Sequence, residues 1–116
     1  MDKAVPTNER DPKNGTYAIW VRDVVEADEV HKNKSANTVK KEKIKTETLL
    51  EREIHELVYF LETGKHLDIQ NLTLCSGSRS SGGGVPGACW GDGRFGVDGG
   101  STDDSDEDLR PREVIS

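Results

Sequence analysis

The sequence predicts a mainly α-helical fold, a small helical hairpin or bundle-forming unit at about residues 16–75. Around it the composition predicts a flexible lead-in (1–15), a Gly-rich linker (76–100) and an acidic, disordered tail (101–116). Three observations carry this reading. Residues 46–64, TETLLEREIHELVYFLETG, hold a helical apolar period between a start signal and a stop signal. Nearly all large apolar side chains lie between Tyr17 and Leu74, and ten of the twelve glycines lie between Ser76 and Gly100. Glycine at that density loses the most backbone entropy on ordering, so the composition predicts a segment left unfolded.

Residues 1–15 hold Pro6, Pro12 and an Asn14-Gly15 pair, which read as a lead-in ending in a turn. The next stretch, TYAIWVRDVVEADEV, supports two assignments. Tyr17, Ile19 and Val21 alternate as in a strand, whereas Tyr17, Val21, Val24 and Asp28 share a helical face that Thr16 could cap. Residues 16–22 stay open between strand and helix, and the second half reads as helix. About 32–37 is a connector, because Asn33, Ser35 and Asn37 favour turns and caps, and helix propensity returns near Thr38.

The main helix is placed at about 48–63. Thr48 and Glu51 form the T-x-x-E capping box, in which each residue's side chain accepts from the other's backbone N–H. At 100° per residue Leu50, Ile54, Leu57 and Leu61 form a narrow stripe, with Val58 beside it and Leu49 and Phe60 as a shoulder. Gly64 can take the left-handed conformation that ends a helix. The 4-3-4 spacing matches a coiled coil for only two heptads, and Val58 and Phe60 stand where pairing charges belong. A hairpin with the first apolar segment, or self-association of two hairpins, fits the broad stripe better. Residues 67–74 alternate with a phase slip at Asn71, as a short bulged strand or as an extended segment laid over the helices.

Composition also restricts function. Only 32% of the residues are hydrophobic and 33% are charged, so an isolated helix of this length cannot hold itself together and its stripe needs a cover. No 18-residue apolar run and no secretory-type apolar core is present, so the expectation is a cytoplasmic or nuclear protein with no membrane partner. The N-x-[ST] matches at Asn14, Asn33 and Asn71 are then accidental, and Cys75 and Cys89, which could form one disulfide, are more often free thiols in a reducing compartment. The three histidines and two cysteines lack the close pairs of a zinc site, and no nucleophile, base and acid fall into a pattern. The chain therefore reads as a non-enzymatic protein without metal or cofactor.

The net charge of −6 is unevenly spread. Six lysines stand against Glu42 in residues 31–45, and six acids stand against two arginines in 101–116, so the two segments can attract one another. Lys40, Lys41, Lys43 and Lys45 are the candidate phosphate contacts of an alternative reading, a nucleic-acid-associated regulator. Ser101, Thr102 and Ser105 precede acids in a pattern that resembles the substrates of acidophilic kinases of the casein-kinase type, against the simpler reading of a solubilising tail. Trp90, set between Cys89 and Gly91, resembles the tryptophan hooks that dock into Argonaute pockets. The layout of a docking helix between polar arms is similar to that of small viral accessory and regulatory proteins and adaptor subunits. The sequence thus predicts an interaction protein that binds a protein partner or a second copy through Leu50, Ile54, Leu57, Val58, Phe60, Leu61 and Trp90.

Overall fold

The computed structural model describes residues 5, 7–11, 13, 15, 17–22, 24–91 and 93–115. In chain order its elements are β1 (Thr7–Asn8), a 3-10 turn (Glu29–His31), α1 (Ala36–Lys41), α2 (Leu49–Thr63), β2 (Leu72–Leu74), β3 (Ser78–Arg79), β4 (Val85–Gly91), β5 (Arg94–Gly100) and β6 (Leu109–Pro111). The strands form a two-stranded sheet, β1-β3, and a four-stranded sheet in the order β5-β4-β2-β6. Within the larger sheet β2 runs parallel to β6 and antiparallel to β4, and β4 and β5 are an antiparallel hairpin. This is a mixed α/β fold, which corrects the expected helical hairpin or bundle.

The correction begins in the Gly-rich stretch. Residues expected to be a disordered linker supply β3, β4 and β5, the last two paired through seven residues each from Val85↔Gly100 to Gly91↔Arg94. Ladder hydrogen bonds between backbones do not need side chains, so glycine's missing Cβ weakens such a strand without preventing it. The hairpin turn uses Gly93 at φ 76°, a left-handed position that glycine occupies without steric penalty.

The segment expected to be an acidic disordered tail is likewise part of the globule. Leu109–Pro111 form the edge strand β6, Val114 is buried, and Ile115 exchanges both backbone hydrogen bonds with Trp20 at 2.8 and 3.0 Å. Pro111 is tolerated because it sits on an edge strand, where a missing N–H breaks no interior ladder. The lead-in too is partly held, with β1 paired to β3 and Val5 buried against Leu49, Cys75 and Ala88. The turn expected at Asn14-Gly15 and the cap expected of Thr16 fall on Asn14 and Thr16, outside the described residues. Residues 17–22 run extended with one bridge at Trp20, and the helix expected after them is reduced to the 3-10 turn.

Helix α2 stands where its sequence signals put it. Thr48 Oγ1 accepts from Glu51 N at 3.2 Å, Glu51 Oε1 accepts from Thr48 N at 2.9 Å, and Gly64 closes the helix at φ 72°. Its orientation, however, is reversed. The buried residues of α2 are Leu49, Glu51, Arg52 and Glu56, while the leucine stripe points away from the protein. Leu49, Arg52 and Glu56 share a face by i, i+3, i+7 spacing, opposite Leu50, Ile54, Leu57 and Leu61. The expected amphipathic helix, its apolar stripe packed against a first helix, is therefore corrected: here the packed side is charged.

What that charged side meets explains how a chain poor in apolar residues folds. Asp68, fully buried at φ 55°, is the hub of an ionic core. Its Oδ1 accepts from Ala27 N at 2.7 Å and Arg112 Nη2 at 2.9 Å; its Oδ2 accepts from Arg52 Nη2 at 3.0 Å, from Arg52 Nε at 3.1 Å and from the Thr73 hydroxyl. Arg112 also donates to the Val24 and Val25 carbonyls at 3.2 and 2.8 Å and to Thr73 Oγ1 at 2.9 Å. Arg52 reaches Glu56 Oε2 at 3.5 Å and the Leu67 carbonyl at 3.4 Å, and lies over the Phe95 ring, 5.4 Å from its centroid. Buried charges are tolerated where both partners and their remaining polar atoms are satisfied, and this hub meets that condition. It ties α2, the end of β6 and the 24–28 segment to one carboxylate.

Two apolar clusters flank the hub: Val5, Leu49, Cys75 and Ala88 with Phe95 against them, and Ala36, Leu74 and Val85 with Leu109 against them. Gly77 passes so close to the 46–47 backbone that a Cβ there would meet Thr46 O at 2.6 Å and Glu47 O at 3.0 Å. No helix of the described residues is long and apolar enough to cross a membrane.

Candidate functional site

Because the ionic core takes the inward side of α2, its apolar side is left on the surface. Ile54, Leu57, Val58, Phe60 and Leu61 are 50%, 57%, 45%, 44% and 72% exposed, and Leu50 is half-buried at the helix start. Scattered surface apolars are ordinary; five on one helix face are not, since large contiguous apolar patches on monomers mark binding surfaces. The six helical positions the sequence assigns to a partner are thus together on one outward surface.

The seventh, Trp90, comes from β4 and joins them through His66, to which the sequence reading gave no part in this surface. His66 lies between two rings, stacked on Trp90 at 3.5 Å and 3° and on Phe60 at 4.9 Å and 10°. Glu56 fixes it there, taking His66 Nδ1 at 2.7 Å on one oxygen and Leu67 N at 3.0 Å on the other. The stack makes the end of α2 and the tip of β4 one surface.

Along the other edge of α2 runs a groove of about 410 Å³, lined by Ile54 and Val58 on the helix, by Tyr17, Ile19 and Val21 on the segment before it, and by Glu47, Glu51 and His55. Extended backbone places Tyr17, Ile19 and Val21 on one side, the alternation visible in the sequence. The position of Glu47 is set by its backbone, whose N–H donates to Arg112 O at 2.9 Å and whose carbonyl accepts from Gly77 N at 3.1 Å. Burial raises the Glu51 carboxyl, but the hydrogen bonds from Arg10 and from Thr48 N outweigh it and hold the group below its usual value. Burial, with a hydrogen bond to Glu51, pushes the Tyr17 hydroxyl up to about 12. Glu47 and His55 form no sequence motif, and only their meeting in space marks them.

The other singled-out residues lie elsewhere. Lys40, Lys41, Lys43 and Lys45 are exposed on α1 and the turn after it, and Lys34 pairs with Glu42 at 2.9 Å. The lysine segment and the acidic segment do touch: Asn33 N donates to Asp106 O at 3.0 Å, Asn37 N to Thr102 O at 3.1 Å, Asn37 Nδ2 to Asp103 Oδ1 at 2.5 Å and Val114 N to Lys45 O at 2.8 Å, and His31 Nε2 meets Glu113 Oε1 at 2.8 Å. Ser101 and Ser105 are exposed and Thr102 is half-buried. Cys75 is buried, Cys89 is half-buried, and no disulfide joins them. Among the described residues no three His, Cys, Asp or Glu side chains are grouped to hold a metal ion. Comparison of the chain with protein-family models, with curated proteins and with solved structures finds no match.

Proposed function

We propose that the protein is a non-enzymatic binding module that docks a protein partner on the outward face of α2, from Leu50 through Ile54, Leu57, Val58 and Leu61 to the Phe60–His66–Trp90 stack. One observation carries the reading: the most apolar face of the helix is turned to the surface while its charged Glu51, Arg52 and Glu56 are buried. Burying half-exposed leucines and isoleucines against a partner is worth about 25 cal/mol per Å² of apolar area, a gain this face cannot obtain from its own chain.

Charge indicates the kind of partner. Glu53 and Glu62 border the apolar face, Glu62 exposed and Glu53 half-buried, and the whole chain carries −6. A second copy would bring like charges to the same contact, whereas a segment with an apolar centre and lysine or arginine flanks is complementary. The partner is accordingly a basic-flanked apolar segment.

The test is binding to a peptide panel that keeps one apolar core and varies its flanks, with sedimentation run alongside. Basic-flanked peptides bind, acid-flanked ones do not, and L57D abolishes binding while leaving the fold intact. Indifference to L57D would overturn the proposal. Concentration-dependent self-association that L57D removes would replace the hetero-partner with a second copy.

A further inference from the structure

The two edges of the larger sheet are built differently. At one, β6 has three residues and carries Pro111, which lacks an N–H. Short length and proline are devices that keep an edge from pairing with another chain. At the other, β5 has neither: it is seven residues long, holds no proline and pairs with β4 residue for residue without a bulge.

The hairpin decides which backbone groups of β5 point outward. Gly91 and Arg94 pair across a turn of two residues, and a pair closed in that way exchanges both N–H···O bonds. By the period of two, Arg94, Gly96, Asp98 and Gly100 turn their backbone groups to β4, while Phe95, Val97 and Gly99 turn theirs away from it. Among the described residues nothing bonds to those outward groups. The edge is also open: Val97 is 44% exposed, and a Cβ at Gly96 or Gly99 would meet nothing within 4 Å.

The order of side chains along the strand selects the occupant. Laid antiparallel to itself about Val97, β5 sets Val97 opposite Val97, Phe95 opposite Gly99, Arg94 opposite Gly100 and Asp98 opposite Gly96. Each charge and the one aromatic ring thus face a glycine. Arg94 is then the diagonal neighbour of Asp98 in the other copy, on the same face and within reach of a long side chain. Asp104 Oδ2 stands 2.9 Å from where a Cβ of Gly100 would be, so the Arg94 that faces this glycine has a second carboxylate near it. The two Asp98 side chains are also diagonal to one another, but aspartate is too short to carry its charge across that gap. The net charge of −6 on each copy opposes association only at long range, where salt screens it beyond about 8 Å.

We infer that β5 is a self-pairing edge, through which two copies of the chain join antiparallel about a two-fold axis at Val97. Four strands from each copy make one continuous sheet of eight. Phe95, Val97 and Gly99 of each copy donate their N–H groups to carbonyls of the other, three from each side and six hydrogen bonds in all. This surface is separate from the outward face of α2, and neither reading depends on the other.

The experiment follows the full chain by sedimentation over a concentration series, with hydrogen exchange of the β5 amides alongside. A dimer is expected, with the Phe95, Val97 and Gly99 amides exchanging more slowly as concentration rises. V97P removes an outward N–H while leaving the β4 ladder whole, and is expected to weaken the dimer at least about tenfold, since two of the six bonds are lost. R94D and D98R, each alone, are expected to weaken it as well. Mixed in equal amounts they are expected to dimerise with one another, because every diagonal contact then sets aspartate against arginine. L57D is expected to leave the dimer unchanged. A chain that is monomeric at every concentration, a dimer that V97P leaves intact, a mixture of R94D and D98R that stays monomeric, or a dimer that L57D removes would each overturn the inference. If V97P does not fold, the two charge variants and their mixture decide.

Discussion

Replacing Asp68 with asparagine tests the ionic core at its centre. The side chain keeps its shape but loses the charge shared by Arg52 and Arg112, which it meets at 3.0 and 2.9 Å. One oxygen also becomes an NH2 group. Oδ1 accepts from Ala27 N and Arg112, and Oδ2 accepts from Arg52 and Thr73, so either amide orientation sets a donor against donors. The two guanidiniums, 0% and 1% exposed, have no water to turn to. Removing one partner of a buried pair costs about 3–5 kcal/mol, a large share of the ~5–15 kcal/mol that holds a domain of this size. Urea unfolding followed by tryptophan fluorescence and far-ultraviolet circular dichroism should therefore show D68N losing at least about 3 kcal/mol, or failing to fold. E42Q, which breaks the Lys34 pair on the surface, should lose less than about 1 kcal/mol. A loss below about 1 kcal/mol for D68N as well would refute the hub, since the two carboxylates would then be equivalent.

Three further outcomes follow from the same geometry. G77A should destabilise by about 1–3 kcal/mol, because the added Cβ meets the Thr46 and Glu47 carbonyl oxygens, backbone atoms that cannot turn aside; melting temperature reads it, and an unchanged value contradicts the close approach. Stability should fall as pH drops below about 4.5: the Glu51 carboxyl is held low by Arg10 against its burial, and Glu113 by His31 and Arg22. Groups that ionise more readily folded than unfolded contribute fully above the unfolded value and lose that contribution as pH falls through the folded one, so E51Q should flatten the acid limb of a stability–pH curve. Cys75, whose thiol is pushed up first by burial and then by the charge of Glu47, should resist alkylation in a C89A chain until urea unfolds it; fast labelling of the native chain would contradict its burial.

The parts of the fold legible in the sequence are those set by local chemistry. The capping box at Thr48 and Glu51 and the left-handed stop at Gly64 depend on residues within one turn, and both form where the pattern puts them. Which side of that helix faces inward depends on Asp68 and Arg112, 16 and 60 positions from Arg52, and no period along the helix reports that. The usual rule that leucines go inward therefore points the wrong way. The Gly-rich segment held a missed signal in Asp92-Gly93, a dipeptide favoured in tight hairpins, with apolar residues alternating on either side at Ala88, Trp90, Phe95 and Val97. Composition argued for disorder there because glycine frequency says nothing about a neighbouring strand that satisfies its backbone. The apolar face itself was readable from spacing alone, and Trp90 from its chemistry. His66, which joins them, and Glu47, which lines the groove, come into view only when the chain is folded.

The most direct measurement is the difference in unfolding free energy between R52M and L57D under one set of conditions. With charge inside and leucine outside, R52M loses about 3–5 kcal/mol because Asp68 loses a buried partner, and L57D stays within about 0.5 kcal/mol of wild type. The reverse order, a tolerated methionine at 52 and a collapsed fold with aspartate at 57, would contradict the account.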